Sequence, residues 1–182
     1  MRINILADVT LLAGVTAVAV ISVGIYSVQT TPYVLSQEKV QEVYDKIYAA
    51  SGEDLKNKRP IKWVEDNDGI NAYATYYTIV VFKGLGDAVK NDDELALVIG
   101  HELSHITMGH ILKKSEGEES REHESLSDKM GSFYMMKAGY NVCKGRGFFL
   151  NLQKLGMKGG ISHPNTMWRY NQLNVGCGGD MK

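Results

Sequence analysis

Hydrophobic residues follow three patterns along this chain, and each predicts a different kind of element. The first is an unbroken apolar run. Residues 9–28 carry no charge and are interrupted only by Thr10, Gly14, Thr16, Ser22, Gly24 and Ser27. A run of about twenty such residues matches a helix that crosses a bilayer, whereas a signal-peptide core spans about 7–15. The small-x-small site Ala17-Val18-Ala19 lies inside the run rather than after it. Length therefore favours an uncleaved N-terminal anchor over a cleaved signal, and over a buried core helix as well. Arg2 precedes the run, and the next basic residue is Lys39. That asymmetry places the body of the protein on the extracytoplasmic (periplasmic) side, either anchored or exported.

The second pattern has the helical period. Ser36 is a predicted N-cap for a helix to about Ala50, with Val40, Val43, Tyr44, Ile47 and Tyr48 on one face. Asn91-Asp92-Asp93-Glu94 puts acid at the start of a second helix, and Lys113 and Lys114 put cations at its expected end. A third helix is predicted from Arg121 to Ala138 with Gly139 as its stop. Shorter ones follow at about 145–155 and 165–173, separated by a glycine-containing loop. The third pattern is dense in β-branched and aromatic residues. It predicts strands at 61–64 and 70–82, parted by the turn signal Asn67-Asp68-Gly69. The fold class expected is α+β, mainly helical, with a small antiparallel sheet. Residues 1–32 form the anchor or signal segment with its linker, and 33–182 the folded domain.

Composition narrows the partners. The chain has 182 residues, 44% of them hydrophobic, with 20 basic and 21 acidic residues and a net charge of −1. No basic stripe interleaved with aromatics is present, so nucleic acid is not an expected partner. Cys143 and Cys177 lack the C-x-x-C spacing of a redox or zinc-ribbon site. They are either one disulfide in an exported protein or two free thiols in the cytosol.

The strongest chemical signal lies in the second helix, at His101-Glu102-Leu103-Ser104-His105. Histidines four apart project from one helical face and can grip one ion. Glu102 is rotated about 100° from His101. It points near the metal without having to bind it, which suits a base acting on a water held there. Zinc, one ion per chain, is the expected cofactor. A catalytic zinc keeps three protein ligands, and candidates for the third are His110, Glu122, His123, Glu124, Asp128 and His163. The metzincin pattern needs its third histidine ten residues after the first, with a glycine three before it. Here His110 is nine residues on and directly follows Gly109, so His110 is read as a polar residue near the exposed end of its helix. Glu124 and Asp128, four apart, share a face of the third helix. One of them can bind zinc while the other accepts a hydrogen bond from a ligand histidine. Glu118 and Glu122 are read as solvated.

At this level of detail the chain resembles the HtpX-like and CAAX prenyl endopeptidase-like zinc metallopeptidases. Residues 95–105 resemble their active-site helix, Glu124-x-x-x-Asp128 their downstream acidic element, and Ala138-Gly139-Tyr140 the close of that helix. Ser162-His163-Pro164 with Arg169 is similar to their S/T-H-P-x-x-x-x-R element, and Asn71-Ala72-Tyr73-Ala74 to the strand before the zinc helix. The resemblance implies a gluzincin: zinc held by His101, His105 and Glu124, and Glu102 as general base. It also implies Asp128 behind the ligands, His163 near the cleft as a gate or transition-state donor, and Arg169 holding that segment. Two departures stand out. Ser127 occupies a place commonly held by alanine, and the polytopic membrane body of HtpX is missing. The chain looks more like the small single-anchor or exported members.

The function expected is endopeptidase hydrolysis of protein or peptide substrates, with quality control of envelope proteins as its setting. A substrate could add as a strand along Asn71, Ala72, Tyr73 and Ala74. The alternative is a zinc-binding, chaperone-like module with little turnover. Glu102 argues against that, since a pure metal scaffold has no need of this carboxylate.

Overall fold

Ser36 ends the extended lead-in and starts the first helix, as its position before the apolar stripe predicts. The computed structural model describes residues 32–112, 117–159, 163–174 and 177. The apolar run 9–28 lies outside them, and among the described residues no helix is long and apolar enough to cross a membrane. In α1 (Gln37–Ser51) the Ser36 hydroxyl accepts the Lys39 amide hydrogen at 3.3 Å. The predicted stripe Val40, Val43, Tyr44, Ile47 and Tyr48 is buried.

The apolar run 70–82 is two strands rather than one. The Thr75 hydroxyl accepts from the Tyr77 and Thr78 amides at 3.2 and 3.0 Å, and the Thr75 amide bonds the Thr78 carbonyl at 2.8 Å. This side-chain-stapled turn folds β2 (Ala72–Ala74) back on β3 (Ile79–Phe82), with Ala72 opposite Val81. β1 (Ile61–Val64) takes the other edge of β3 in parallel, with Ile61 opposite Ile79. The order is therefore β1-β3-β2. The sheet is mixed, which corrects the expected antiparallel one. β3 turns back from β2, which reverses its direction and lets it pair with β1 in parallel; a parallel pair needs a crossover rather than a tight hairpin, and the chain from β1 through β2 supplies it. Ile79, Val80 and Val81 of the central strand are buried, and β2 is left as an edge.

The motif lies in α2 (Asp92–Thr107), begun by Asn91, whose Oδ1 accepts the Glu94 amide hydrogen at 2.9 Å. Every residue from Glu94 to Ser104 is buried, so this helix is the core of the domain rather than one of its faces. It ends seven residues before the predicted Lys114. Gly109 adopts φ 71 and reverses the chain into a single 3-10 turn at His110–Leu112. A left-handed residue at that point is the usual helix stop, and it takes His110 off the helix axis.

α3 (Glu118–Lys137) lies directly on α2. Two glycines allow the contact. A Cβ on Gly100 would stand 2.7 Å from the Gly131 carbonyl oxygen, and one on Gly131 would stand 2.5 Å from the His101 amide nitrogen. Glycine inside a helix costs about 0.5–1 kcal/mol relative to alanine, and here it permits backbone to touch backbone. Gly139, with φ 88, stops α3 as predicted. The predicted helix at 145–155 is α5 (Gly147–Lys154), and a single extra turn, α4 (Val142–Gly145), precedes it. α6 (Thr166–Gln172) follows, capped by Asn165. Among the described residues the fold is α+β and mainly helical.

Cys143 of α4 is disulfide-bonded to Cys177, with Cα atoms 5.4 Å apart and a sequence separation of 34. The bridge closes a loop that carries α5 and α6. By chain-entropy reasoning a loop of that size stabilises by about 4 kcal/mol. Cys143→Ser should lower the unfolding free energy by roughly 2–5 kcal/mol in a urea titration of oxidised protein. An unchanged midpoint would show that the loop contributes nothing. Gly131→Ala should cost about 1–3 kcal/mol by forcing the two helices apart, and wild-type stability in the same titration would refute that contact.

Candidate metal centre

His101 and His105 sit one turn apart on α2, and their Nε2 atoms are 3.1 Å apart. α3 brings Glu124 against both: Oε1 is 3.3 Å from His105 Nε2, and Oε2 is 3.5 Å from His101 Nε2. Zinc bonds of about 2.0–2.1 Å in tetrahedral geometry separate donor atoms by about 3.3 Å. The three donor pairs stand near that spacing. His163 approaches from the segment before α6, its Nδ1 2.7 Å from Glu124 Oε2 and its side chain 45% exposed. His101, Glu124 and His163 each offer an atom within 4.8 Å of the other two. Two overlapping triads thus share His101 and Glu124.

The protonation pattern points the same way. Asp128 Oδ1 is 2.9 Å from His101 Nδ1. Arg169 grips the same carboxylate with a fork, Nε to Oδ2 at 2.8 Å and Nη2 to Oδ1 at 2.6 Å. A guanidinium only donates, so its 3.1 Å approach to His101 Nδ1 follows from both groups converging on one acceptor. His101 Nδ1 then carries hydrogen towards Asp128, and its Nε2 lone pair faces His105 and the Glu124 carboxylate. Acceptors facing one another at such distances call for a proton or a cation between them.

Charge is short in the same place. Glu102, Glu124 and Asp128 are buried, and Arg169 is the buried cation beside them. Burial would raise Asp128, but Arg169 and His101 hold it below the usual carboxylate range. Burial likewise opposes ionisation of Glu124, and the hydrogen bonds from His105 and His163 overcome it and hold its pKa low. Burial pushes His101 down, helped by the Arg169 charge. Glu102 has no such partner. Burial, then the Glu124 charge, lifts it to about 8, against a hydrogen bond from the Ala74 backbone amide that pulls it back. Glu124 and Asp128, both held ionised, stand against one guanidinium, and a bound cation would fill that deficit and favour ionised Glu102 as well. The nitrogen and oxygen donor set suits zinc.

Two cavities meet at Glu102. One, of about 140 Å³, is lined by apolar side chains including Leu97, Val98, Phe148, Phe149 and Leu152, with His101, Glu102 and His163 at its polar end. The other, of about 380 Å³, holds His105, His110, His123 and Glu124. Asn71 and Ala72 line both cavities, and Tyr73 and Ala74 line the second. The edge strand β2 therefore runs past the centre, with Tyr73 exposed.

The structure brings His101, Glu102, His105, Glu124, Asp128, His163 and Arg169 together, with Asn71, Ala72, Tyr73 and Ala74 lining the adjoining cavities. Glu118 and Glu122 are exposed, as read. His110 corrects its reading as an exposed helix end. The Gly109 reversal turns it inward, its Nδ1 is 3.3 Å from His105 Nδ1, and it lines the second cavity. The signal was Gly109 itself, a left-handed stop placed immediately before a histidine. The apolar cavity was also unforeseen, since Phe148 and Phe149 look like ordinary core.

Residues 35–119 match the model of peptidase family M48, and this supports a metallopeptidase of that family. The match covers α1, the sheet and α2, and it ends before Glu124. No curated protein matches the chain.

Asp128→Asn should leave Arg169 buried beside a neutral amide and destabilise the metal-free protein by about 3–5 kcal/mol. Denaturant unfolding in a chelator checks it, and a loss under 1 kcal/mol would mean that the pair holds nothing together. Because the folded-state pKa of Asp128 is depressed, its contribution is full above the ordinary carboxylate range. It fades as pH falls through the lower folded value.

Proposed function

We propose that this protein is a zinc-dependent metalloendopeptidase acting on protein or peptide chains, with zinc held by His101, His105 and Glu124. The carrying observation is that these three donors, from two helices, already stand at the spacing of a tetrahedral zinc site. When bound, zinc would polarise the scissile carbonyl and acidify water enough for deprotonation near neutral pH.

The chain's own residues supply the rest. Glu102, one position along the helix from His101, takes the proton from the attacking water and returns it to the leaving amine. Its burial and raised proton affinity suit both halves of that task. Asp128 and Arg169 fix the His101 tautomer so that Nε2 stays a free lone pair. β2 offers an open strand edge beside Glu102, to which an extended substrate at Asn71-Ala72-Tyr73-Ala74 can add. His163, exposed and on the far side of Glu124, is placed to donate to the developing oxyanion or to cover the centre between turnovers.

We further propose that residues 1–32 tether or export the domain of 33–182, and that it works outside the cytoplasm on misfolded envelope proteins. The Cys143–Cys177 bridge supports an oxidising compartment. Alkylation of these cysteines as free thiols in protein taken directly from cells would count against that placement.

Glu102→Gln is the decisive variant for the chemistry. It should keep about one zinc per chain by elemental analysis and lose about 10²–10⁴-fold in turnover of an unfolded protein substrate. If it binds zinc and still cleaves at the wild-type rate, the mechanism is wrong. His163→Ala should also slow turnover, and an unaltered rate would remove His163 from the active site.

A further inference from the structure

Of the chain's five histidines, His110 and His123 are not among the groups assigned above to the ion or to Glu124, yet both line the cavity beside it. The His110 ring lies parallel to that of His123, with centroids 4.0 Å apart and planes 9° apart. Its Nδ1 is 3.3 Å from His105 Nδ1 and 3.1 Å from Ser127 Oγ. We propose that His110 is a positioning residue for the metal centre: it accepts the Nδ1 hydrogen of His105 and thereby fixes the tautomer and ring plane that aim His105 Nε2 at the ion. This rests on the zinc reading above.

The argument is one of hydrogen count. Two ring nitrogens facing each other at 3.3 Å can share only one hydrogen. If His105 binds the metal through Nε2, it must be neutral and its hydrogen must sit on Nδ1. His110 then presents its Nδ1 lone pair to His105 and carries its own hydrogen on Nε2. A metal-bound histidine commonly hands its second N–H to an acceptor of this kind, and loss of the acceptor loosens the ligand.

Three features hold His110 in place for the task. Gly109, at φ 71, turns the chain back towards α2. Stacking on His123 sets the ring plane. Ser127 Oγ, on α3, stands 3.1 Å from the same nitrogen and limits how far the ring can turn. Ser127 and Asp128 are neighbours on one turn of α3, so consecutive residues support the two ligand histidines, Asp128 directly and Ser127 through His110. An alanine at 127, common in the peptidases this chain resembles, could not make that contact. The departure in sequence therefore has a counterpart in the structure.

The test compares zinc affinity, by chelator competition, for the full chain and two variants. His110→Phe keeps an aromatic ring on His123 but removes the acceptor. It should weaken zinc about 10–100-fold while the metal-free protein melts where wild type does. His110→Asn places a carbonyl oxygen close to the lost Nδ1 and should recover most of that affinity. With cobalt substituted for zinc, the visible spectrum should change in His110→Phe and return towards wild type in His110→Asn. Wild-type zinc affinity in His110→Phe overturns the proposal, as does His110→Asn as weak as His110→Phe. A wild-type protein that binds no zinc would sink both this proposal and the metallopeptidase reading; the other two outcomes sink this proposal alone.

Discussion

The contact between Gly100 and Gly131 is the constraint on which the site depends. Helices normally pack with axes about 8–10 Å apart, a distance set by the side chains between them. Here the side chains are absent at the crossing, and the Gly131 backbone lies against the amide of His101. Asp128 is three residues, nearly one turn, before Gly131, and Glu124 is one further turn back. Close approach at the glycine pair therefore delivers Asp128 to His101 Nδ1 and Glu124 to the Nε2 side of both histidines. A Cβ at either position would meet backbone at 2.5–2.7 Å, so the helices that carry these carboxylates would have to shift.

Burial that closes this contact also raises an electrostatic problem, and the arrangement of partners shows how it is resolved. Asp128 is offset by Arg169, and Glu124 is held ionised by the histidines around it. Glu102 alone is left with its pKa pushed up to about 8. The Ala74 amide and the more distant Arg169 charge oppose that rise only in part. A buried carboxylate with raised proton affinity, lining both cavities beside the open strand edge, is the pattern of a reactive group rather than of a structural ion pair.

Much of the fold was legible because its signals are local. Ser36, Asn91 and Gly139 end or begin helices through their own side chains or their lack of one, and each does so where the sequence puts it. The H-E-x-x-H spacing was legible for the same reason, since four residues are one turn. What escaped depends on contacts between distant residues or on one side chain acting on backbone. Thr75 breaks a run whose strand propensity is continuous. The parallel pairing of β1 with β3 is a consequence of connectivity that no residue encodes. Gly109 was visible, but only the reversed chain shows that it carries His110 inward. The disulfide was open because spacing alone cannot bring Cys143 to Cys177. Glu124 was reached through resemblance, and its spacing to both histidines supports the choice on independent, geometric grounds.

The centre also ties together parts of the chain that could otherwise move apart. The stretch matching peptidase family M48 ends at residue 119, yet Glu124, Asp128, His163 and Arg169 all lie beyond it. They come from α3, from the segment before α6 and from α6 itself, and the Cys143–Cys177 bridge encloses the last two. An ion shared by His101, His105 and Glu124 would pin α3 to α2 at the point where their glycines meet. Its binding free energy would then be folding free energy for that helix pair. The Arg169 fork on Asp128 draws α6 to the same place. Closure of the centre and assembly of the C-terminal half are on this view a single event, and the half-buried His163, held to Glu124 at 2.7 Å, joins the segment before α6 to the same point.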